Sequence, residues 1–127
     1  MENAKILHVE DNKLFSKAIT RSLNLENQGH AIIETATNIE DASKSLYKIA
    51  RNEININLVL LDGNLSRESS NGADAKRVIE IIRELNLELF TIGCSEDNLK
   101  KNSVDVDFEL PKKDFGIDKL IALINSI

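Results

Sequence analysis

Cysteine is nearly missing from this chain of 127 residues: Cys94 stands alone. No internal disulfide can form, and the composition suits a reducing compartment such as the cytoplasm. Tryptophan is absent and aromatics make up 4% of the residues, so Tyr47 and the four phenylalanines read as packing residues and not as a stacking surface for bases. Basic clusters are missing too. The formal net charge is −5 and no Lys/Arg run exceeds the pairs Lys100-Lys101 and Lys112-Lys113. Direct nucleic-acid binding needs a clustered basic surface and is not expected. No apolar run approaches the ~18 residues of a membrane span. The start, Met1-Glu2-Asn3-Ala4-Lys5, has no apolar core of a signal peptide. Internal repeats and low-complexity linkers are also lacking. What remains is an ordinary globular composition, 42% hydrophobic and 29% charged, at the length of one domain.

The most informative stretch is Asn57-Leu58-Val59-Leu60-Leu61-Asp62. Four apolar residues run without alternation and stop at an acid. Such a run suits a strand covered on both faces, as in a parallel α/β sheet. Asp62 falls at its carboxyl end, where ligands bind in open α/β sheets. Taken alone, Asp62 reads equally well as a turn residue. The segment Ala4–Val9 repeats the design, with Glu10-Asp11-Asn12 after it.

Other elements alternate with these two. A helix is predicted after Asn12, with Leu14, Phe15, Ala18, Ile19, Ser22 and Leu23 on its stripe, closed by Asn27-Gln28-Gly29. A strand over 31–36 follows. A helix from Thr37 or Asn38 carries Ile39, Ala42, Leu46, Ile49 and Ala50. After Asp62 comes a serine-rich loop from Gly63 to Gly72, then a helix over 73–85 with Ala75, Val78, Ile79, Ile82 and Leu85 inward. A fourth strand spans 89–95. Residues 96–104 hold at most a short helix. A fifth strand, 107–110, stops at Pro111. Asp114 is the expected cap of a last helix bearing Ile117, Leu120, Ile121, Ile124 and Ile127. Strands and helices thus alternate about five times, which predicts a doubly wound parallel sheet of flavodoxin-like (βα)5 type, in the order 2-1-3-4-5.

That order brings Glu10, Asp11 and Asp62 to one rim. Three neighbouring carboxylates repel one another, and a hard divalent cation such as Mg²⁺ compensates them naturally. Read singly, each residue also has a plain structural role. Glu10-Asp11 fits a strand-to-helix cap, Ser95 a helix N-cap, Lys112 or Lys113 a solvated lysine. His8 fits a packed sheet residue, and Cys94 a small buried hydrophobe.

Together, Val9-Glu10-Asp11-Asn12, Leu60-Leu61-Asp62-Gly63-Asn64-Leu65, Cys94-Ser95 and Leu110-Pro111-Lys112 resemble the receiver domain of two-component response regulators, over essentially the whole chain. The resemblance implies a single receiver domain over 1–127 without an output domain, and a signalling role instead of catalysis on other molecules. It implies that Asp62 accepts a phosphoryl group from a histidine kinase or a histidine phosphotransfer protein. Asp11 would bind Mg²⁺ directly, Glu10 mainly through water, and Asn64 through its backbone carbonyl. Ser95 would be the switch hydroxyl and Lys112 the lysine pairing with the phosphoryl group. A downstream protein target would read the state, in a bacterial type of cytoplasmic pathway.

The chain also departs from the family's pattern. The usual Lys-Pro order is Pro111-Lys112 here, so Lys112 needs a one-residue adjustment. Glu109 then stands where a switch aromatic is usual, with Phe108 one step away. Glu96 replaces a small residue, and the loop after Asp62 is long and lacks proline. Asp97, two residues past Ser95, is expected to alter the phosphoryl lifetime. These departures motivate an alternative, a receiver-like binding module that takes no phosphate. A Mg²⁺-dependent phosphohydrolase needs Asp-x-Asp on the first strand, and Glu10-Asp11 has the wrong spacing.

Overall fold

A computed structural model of the chain describes residues 1–65, 72–96 and 99–127. Chain order runs β1 (Lys5–Val9), α1 (Lys13–Glu26), β2 (Ala31–Ala36), α2 (Ile39–Ala50), β3 (Leu58–Leu61), α3 (Ala73–Glu84), β4 (Phe90–Gly93), β5 (Phe108–Glu109), a 3₁₀ turn (Lys112–Asp114) and α4 (Ile117–Ser126). The five strands form one sheet in the order β2-β1-β3-β4-β5, every pair parallel. The α/β doubly wound architecture read from the sequence is the one observed.

The apolar strands are covered twice because alternate residues serve opposite faces. Leu7, Val9, Val59 and Leu61 pack with Ala42 and Leu46 of α2 and Val78 and Ile82 of α3. Ile6, Leu58, Leu60 and Ile92 pack with Ile19 and Leu23 of α1 and Leu120 and Ile124 of α4. His8 joins the second face, fully buried, with Nδ1 3.1 Å from Ser16 Oγ. Cys94 is buried there as well.

Two helix starts follow the sequence closely. Asn12 Oδ1 accepts from Phe15 N–H at 3.1 Å, and Asn38 Oδ1 from Asp41 N–H at 2.8 Å. Asn27 ends α1 in the left-handed conformation, φ 48°.

Other details differ. On α1, Leu14 is 79% exposed and Ala18 is also outside, so the inward stripe is Phe15, Ile19, Ser22 and Leu23. Ala50 is exposed at the end of α2. Asp114 does not cap the last helix. It closes the 3₁₀ turn, and Gly116 occupies the N-cap position of α4 without a side-chain cap. The cause lies upstream: Lys112 N–H bonds Ser95 C=O at 3.1 Å, which holds Lys112 at the sheet edge and delays the helix. Residues 99–103 form turns, with no helix between β4 and β5 among the described residues. Their polar sequence offers no apolar stripe, and only Leu99 and Val104 at its ends are buried. β5 keeps two residues of the expected four. A side-chain interlock supports this short edge: Asp107 Oδ2 accepts from Thr91 N–H at 2.8 Å, and Asp107 N–H donates to Thr91 Oγ1 at 2.9 Å.

Candidate functional site

At the carboxyl ends of β1, β3 and β4 the strands release their last residues together. Glu10 N–H bonds Ala36 C=O at 2.9 Å, Asp62 N–H bonds Val9 C=O at 2.9 Å, and Cys94 N–H bonds Leu61 C=O at 2.8 Å. The ladder thus continues one residue beyond each strand and fixes the backbone beneath the acids. Carboxylate oxygens of Glu10, Asp11 and Asp62 all lie within 4.8 Å of one another. Glu10 and Asp62 are buried, while Asp11 is exposed at the rim. A cavity of about 270 Å³ opens above them, lined by Asp11, Asn12, Asp62, Asn64, Ser95, Glu96 and Lys112. A larger groove of about 600 Å³ between α1 and β2, lined by Lys13, Lys17 and Arg21 among others, contains none of these acids.

Lys112 settles which of the adjacent lysines faces the acids. Its Nζ lies 2.9 Å from Glu10 Oε1 and 3.5 Å from Asp62 Oδ2. Lys113 is exposed. The lysine is steered from both ends. Its amide is tied to Ser95, and its ammonium sits 5.2 Å from the centre of the Phe15 ring. Phe15 is in turn set edge-on against Phe115 at 5.2 Å. Sequence reading treated Phe15 as plain core and overlooked Asn12 and Glu96 as lining residues. Their proximity to Glu10 and Ser95 in the chain was the available signal.

Burial dominates the electrostatics. It pushes the Glu10 carboxyl up to about 8, against the lowering effect of the Lys112 contact and with a further rise from Asp62. Burial also works against the Lys112 ammonium, but bonding to Glu10 and the charges of Asp62 and Glu10 outweigh it and raise its pKa. His8 is lowered to about 4 by burial and then by the Lys112 charge, so its ring is neutral at pH 7. Burial raises Cys94 to about 12, which leaves an unreactive thiol.

The donors suit a hard cation. They are all oxygens, with more negative charge than one ammonium neutralises. Glu10 Oε1 is fully buried, and its near neighbour is the Lys112 ammonium at 2.9 Å. A divalent ion held at Asp11 and Asp62 would relieve the same excess.

No family model and no curated protein matches the sequence. Solved structures do match. A LuxR-family DNA-binding response regulator from Staphylococcus aureus superposes with TM-score 0.75 at 23% identity, over 97% of each chain. The signal receiver domain of an HD domain-containing protein from Pseudomonas fluorescens Pf-5 gives TM-score 0.70 at 14% identity, over 98% of this chain and 93% of that one. A CheY-like response regulator receiver domain protein from Methanospirillum hungatei JF-1 gives 0.68 at 18% identity, over 98% and 92%.

The chain has the receiver-domain fold of response regulators. Within that fold the six residues singled out from the sequence meet at one place. Glu10, Asp11 and Asp62 form the acid cluster, Lys112 pairs with two of them, and Asn64 and Ser95 line the cavity. Asn64 Oδ1 also accepts from Gly72 N–H at 3.1 Å, which bridges the start and end of the loop behind the site. The position where the sequence resemblance places a switch aromatic is occupied by Glu109. Glu109 Oε1 accepts from Lys100 N–H at 2.6 Å, so a carboxylate holds the 99–103 turn, while Phe108 packs on the α1/α4 face. Tyr47 and Phe90, expected to pack, are 46% and 43% exposed. Asp97, Ser66, Ser69, Ser70 and Asn71 lie outside the described residues. No described helix is long and apolar enough to cross a membrane.

Proposed function

We propose that this chain is a phosphoacceptor receiver of two-component or phosphorelay signalling, with Asp62 as the acceptor. The observation that carries the reading is the buried Asp62 carboxylate, 3.5 Å from the Lys112 ammonium inside a three-carboxylate cluster that opens to a cavity. An Asp62 carboxylate oxygen attacks the phosphorus of a phosphohistidine on a histidine kinase or histidine phosphotransfer protein. The P–O bond forms as the P–N bond breaks, and the donor imidazole leaves with the electron pair and is protonated by solvent. Such transfers depend on positioning and on neutralising the equatorial oxygens. Lys112 supplies a fixed cation and Ser95 a hydroxyl donor to the phosphoryl oxygens. Asp11, Asp62, the Asn64 carbonyl and, through water, Glu10 would hold Mg²⁺, which when bound neutralises the same oxygens. Water attacking the phosphorus later releases phosphate and restores Asp62. The chain would act on no other substrate, and its output would be binding to a downstream protein in the cytoplasm.

Glu109 at the aromatic position favours a second reading, a module that binds its partner without phosphate. Intact-mass measurement after incubation with Mg²⁺ and acetyl phosphate separates the two. One added phosphoryl group, absent in Asp62→Asn and absent with chelator, is the expected result. No adduct, together with no binding of a beryllofluoride mimic, refutes the phosphoacceptor reading.

A further inference from the structure

Three of the five glycines converge on one side chain. A Cβ on Gly63 would lie 2.5 Å from Leu99 Cδ2, one on Gly93 2.8 Å from Leu99 Cδ1, and one on Gly72 3.1 Å from Leu99 Cδ2 and 2.9 Å from Val104 Cγ2. Gly72 also has φ +73°, which by itself favours glycine. Gly63 and Gly93 have no such backbone need; a Cβ at either would force the Leu99 methyls, and at Gly63 also the Ser95 hydroxyl, to shift. Leu99 is 1% exposed. It is thus a knob in a socket whose walls are the residue after Asp62, the start of α3 and the end of β4.

The socket touches the site directly. The Cβ position of Gly63 is 2.9 Å from Ser95 Oγ as well as 2.5 Å from Leu99. On its other side Leu99 anchors the turn: its carbonyl accepts from Asn102 N–H at 3.1 Å and from Val104 N–H at 2.8 Å. Lys100, next along, is held by Glu109. Close-packed interiors transmit displacement because they lack free volume to absorb it.

We propose that Leu99 is the positioning residue that carries the state of the Asp62 site to the 99–103 turn, in place of a switch aromatic on β5. The inference rests on the phosphoacceptor reading. A phosphoryl group on Asp62 adds roughly −1.5 to −2 charge and three acceptor oxygens, and draws the Ser95 hydroxyl toward it. Movement of Ser95 and Gly63 changes the shape of the socket. Leu99 must follow, and the turn carrying Lys100, Lys101, Asn102 and Ser103 shifts against Glu109. The readable surface is therefore this turn.

The test is backbone amide NMR of the full chain with Mg²⁺ and beryllofluoride, for wild type, Leu99→Ala, Leu99→Val and Leu99→Met. In wild type, amides of Gly63 and Ser95 and those of Lys100–Ser103 and Glu109 shift together. In Leu99→Ala the site amides still respond, while the turn response falls about threefold or more. Leu99→Met, which conserves volume, keeps most of it. A purely structural role would lower stability without separating the two groups of amides. An undiminished turn response in Leu99→Ala overturns the coupling alone. Should that variant not fold, an undiminished response in Leu99→Val does so. A wild type that binds no beryllofluoride and gains no phosphoryl group from acetyl phosphate overturns the phosphoacceptor reading and the coupling with it.

Discussion

Replacing Glu10 by glutamine tests the electrostatics of the site most directly. The carboxyl is fully buried, and its pKa stands near 8 in the folded chain against an ordinary 4.5. Between those values the folded state binds more protons than the unfolded state. Stability therefore falls as pH rises through the window. Below pH 6.5 the lowered His8 contributes a slope of opposite sign, so the clean interval is pH 6.5 to 8. Each pH unit there is worth about 1.36 kcal/mol per differential proton, so metal-free wild type should lose on the order of 2 kcal/mol across it. Glu10→Gln keeps the shape and has no proton to lose, so its stability should stay nearly level. Lys112 is charged throughout and does not contribute to the difference. Urea denaturation of both proteins at several pH values, with chelator present, measures the contrast. Adding Mg²⁺ at 100 times its dissociation constant should return about 2.7 kcal/mol to wild type. Parallel pH profiles for the two chelated proteins would refute the burial argument.

Two further outcomes follow from the packing. His8 is lowered to about 4, so the unfolded state binds the extra proton between pH 6.5 and 4. The His8 contribution to stability should fall by about 3 kcal/mol through that range, offset above pH 4.5 by the opposite slope of Glu10, so the contrast to measure in acid denaturation is wild type against His8→Phe. Gly93→Ala places a Cβ 2.8 Å from Leu99 Cδ1. Thermal and urea melts should show a loss of about 1–3 kcal/mol, relieved when Leu99 is shortened to valine. A silent Gly93→Ala would mean that the socket has slack.

Much of the fold was legible because its signals are local. The unbroken apolar run at 58–61 and the run at 6–9, interrupted only by His8, announce strands covered on both faces, and Asn12 and Asn38 announce helix starts by the reach of their own side chains. The acids Glu10, Asp11 and Asp62 were legible for the same reason, since the pair Glu10-Asp11 and the single Asp62 follow such runs. Errors came where a neighbour distant in the chain overrides local preference. Asp114 has cap chemistry, but the bond from Lys112 to Ser95 delays the helix past it. Leu14 has the right spacing for the α1 stripe, but the stripe facing the sheet is narrower than the periodicity suggests.

The sequence by itself determined the alternation of strands and helices, the parallel sheet and the rim on which the acids gather. These depend on periodicity and on the order of elements. Only the tertiary structure decided that Lys112 and not Lys113 faces Asp62, that burial raises the Glu10 pKa, and that Leu99 fills a socket of three glycines. Coulomb energy, desolvation and steric contact are set by distances between residues as far apart in the chain as Glu10 and Lys112, and chain order does not contain those distances until the sheet has closed.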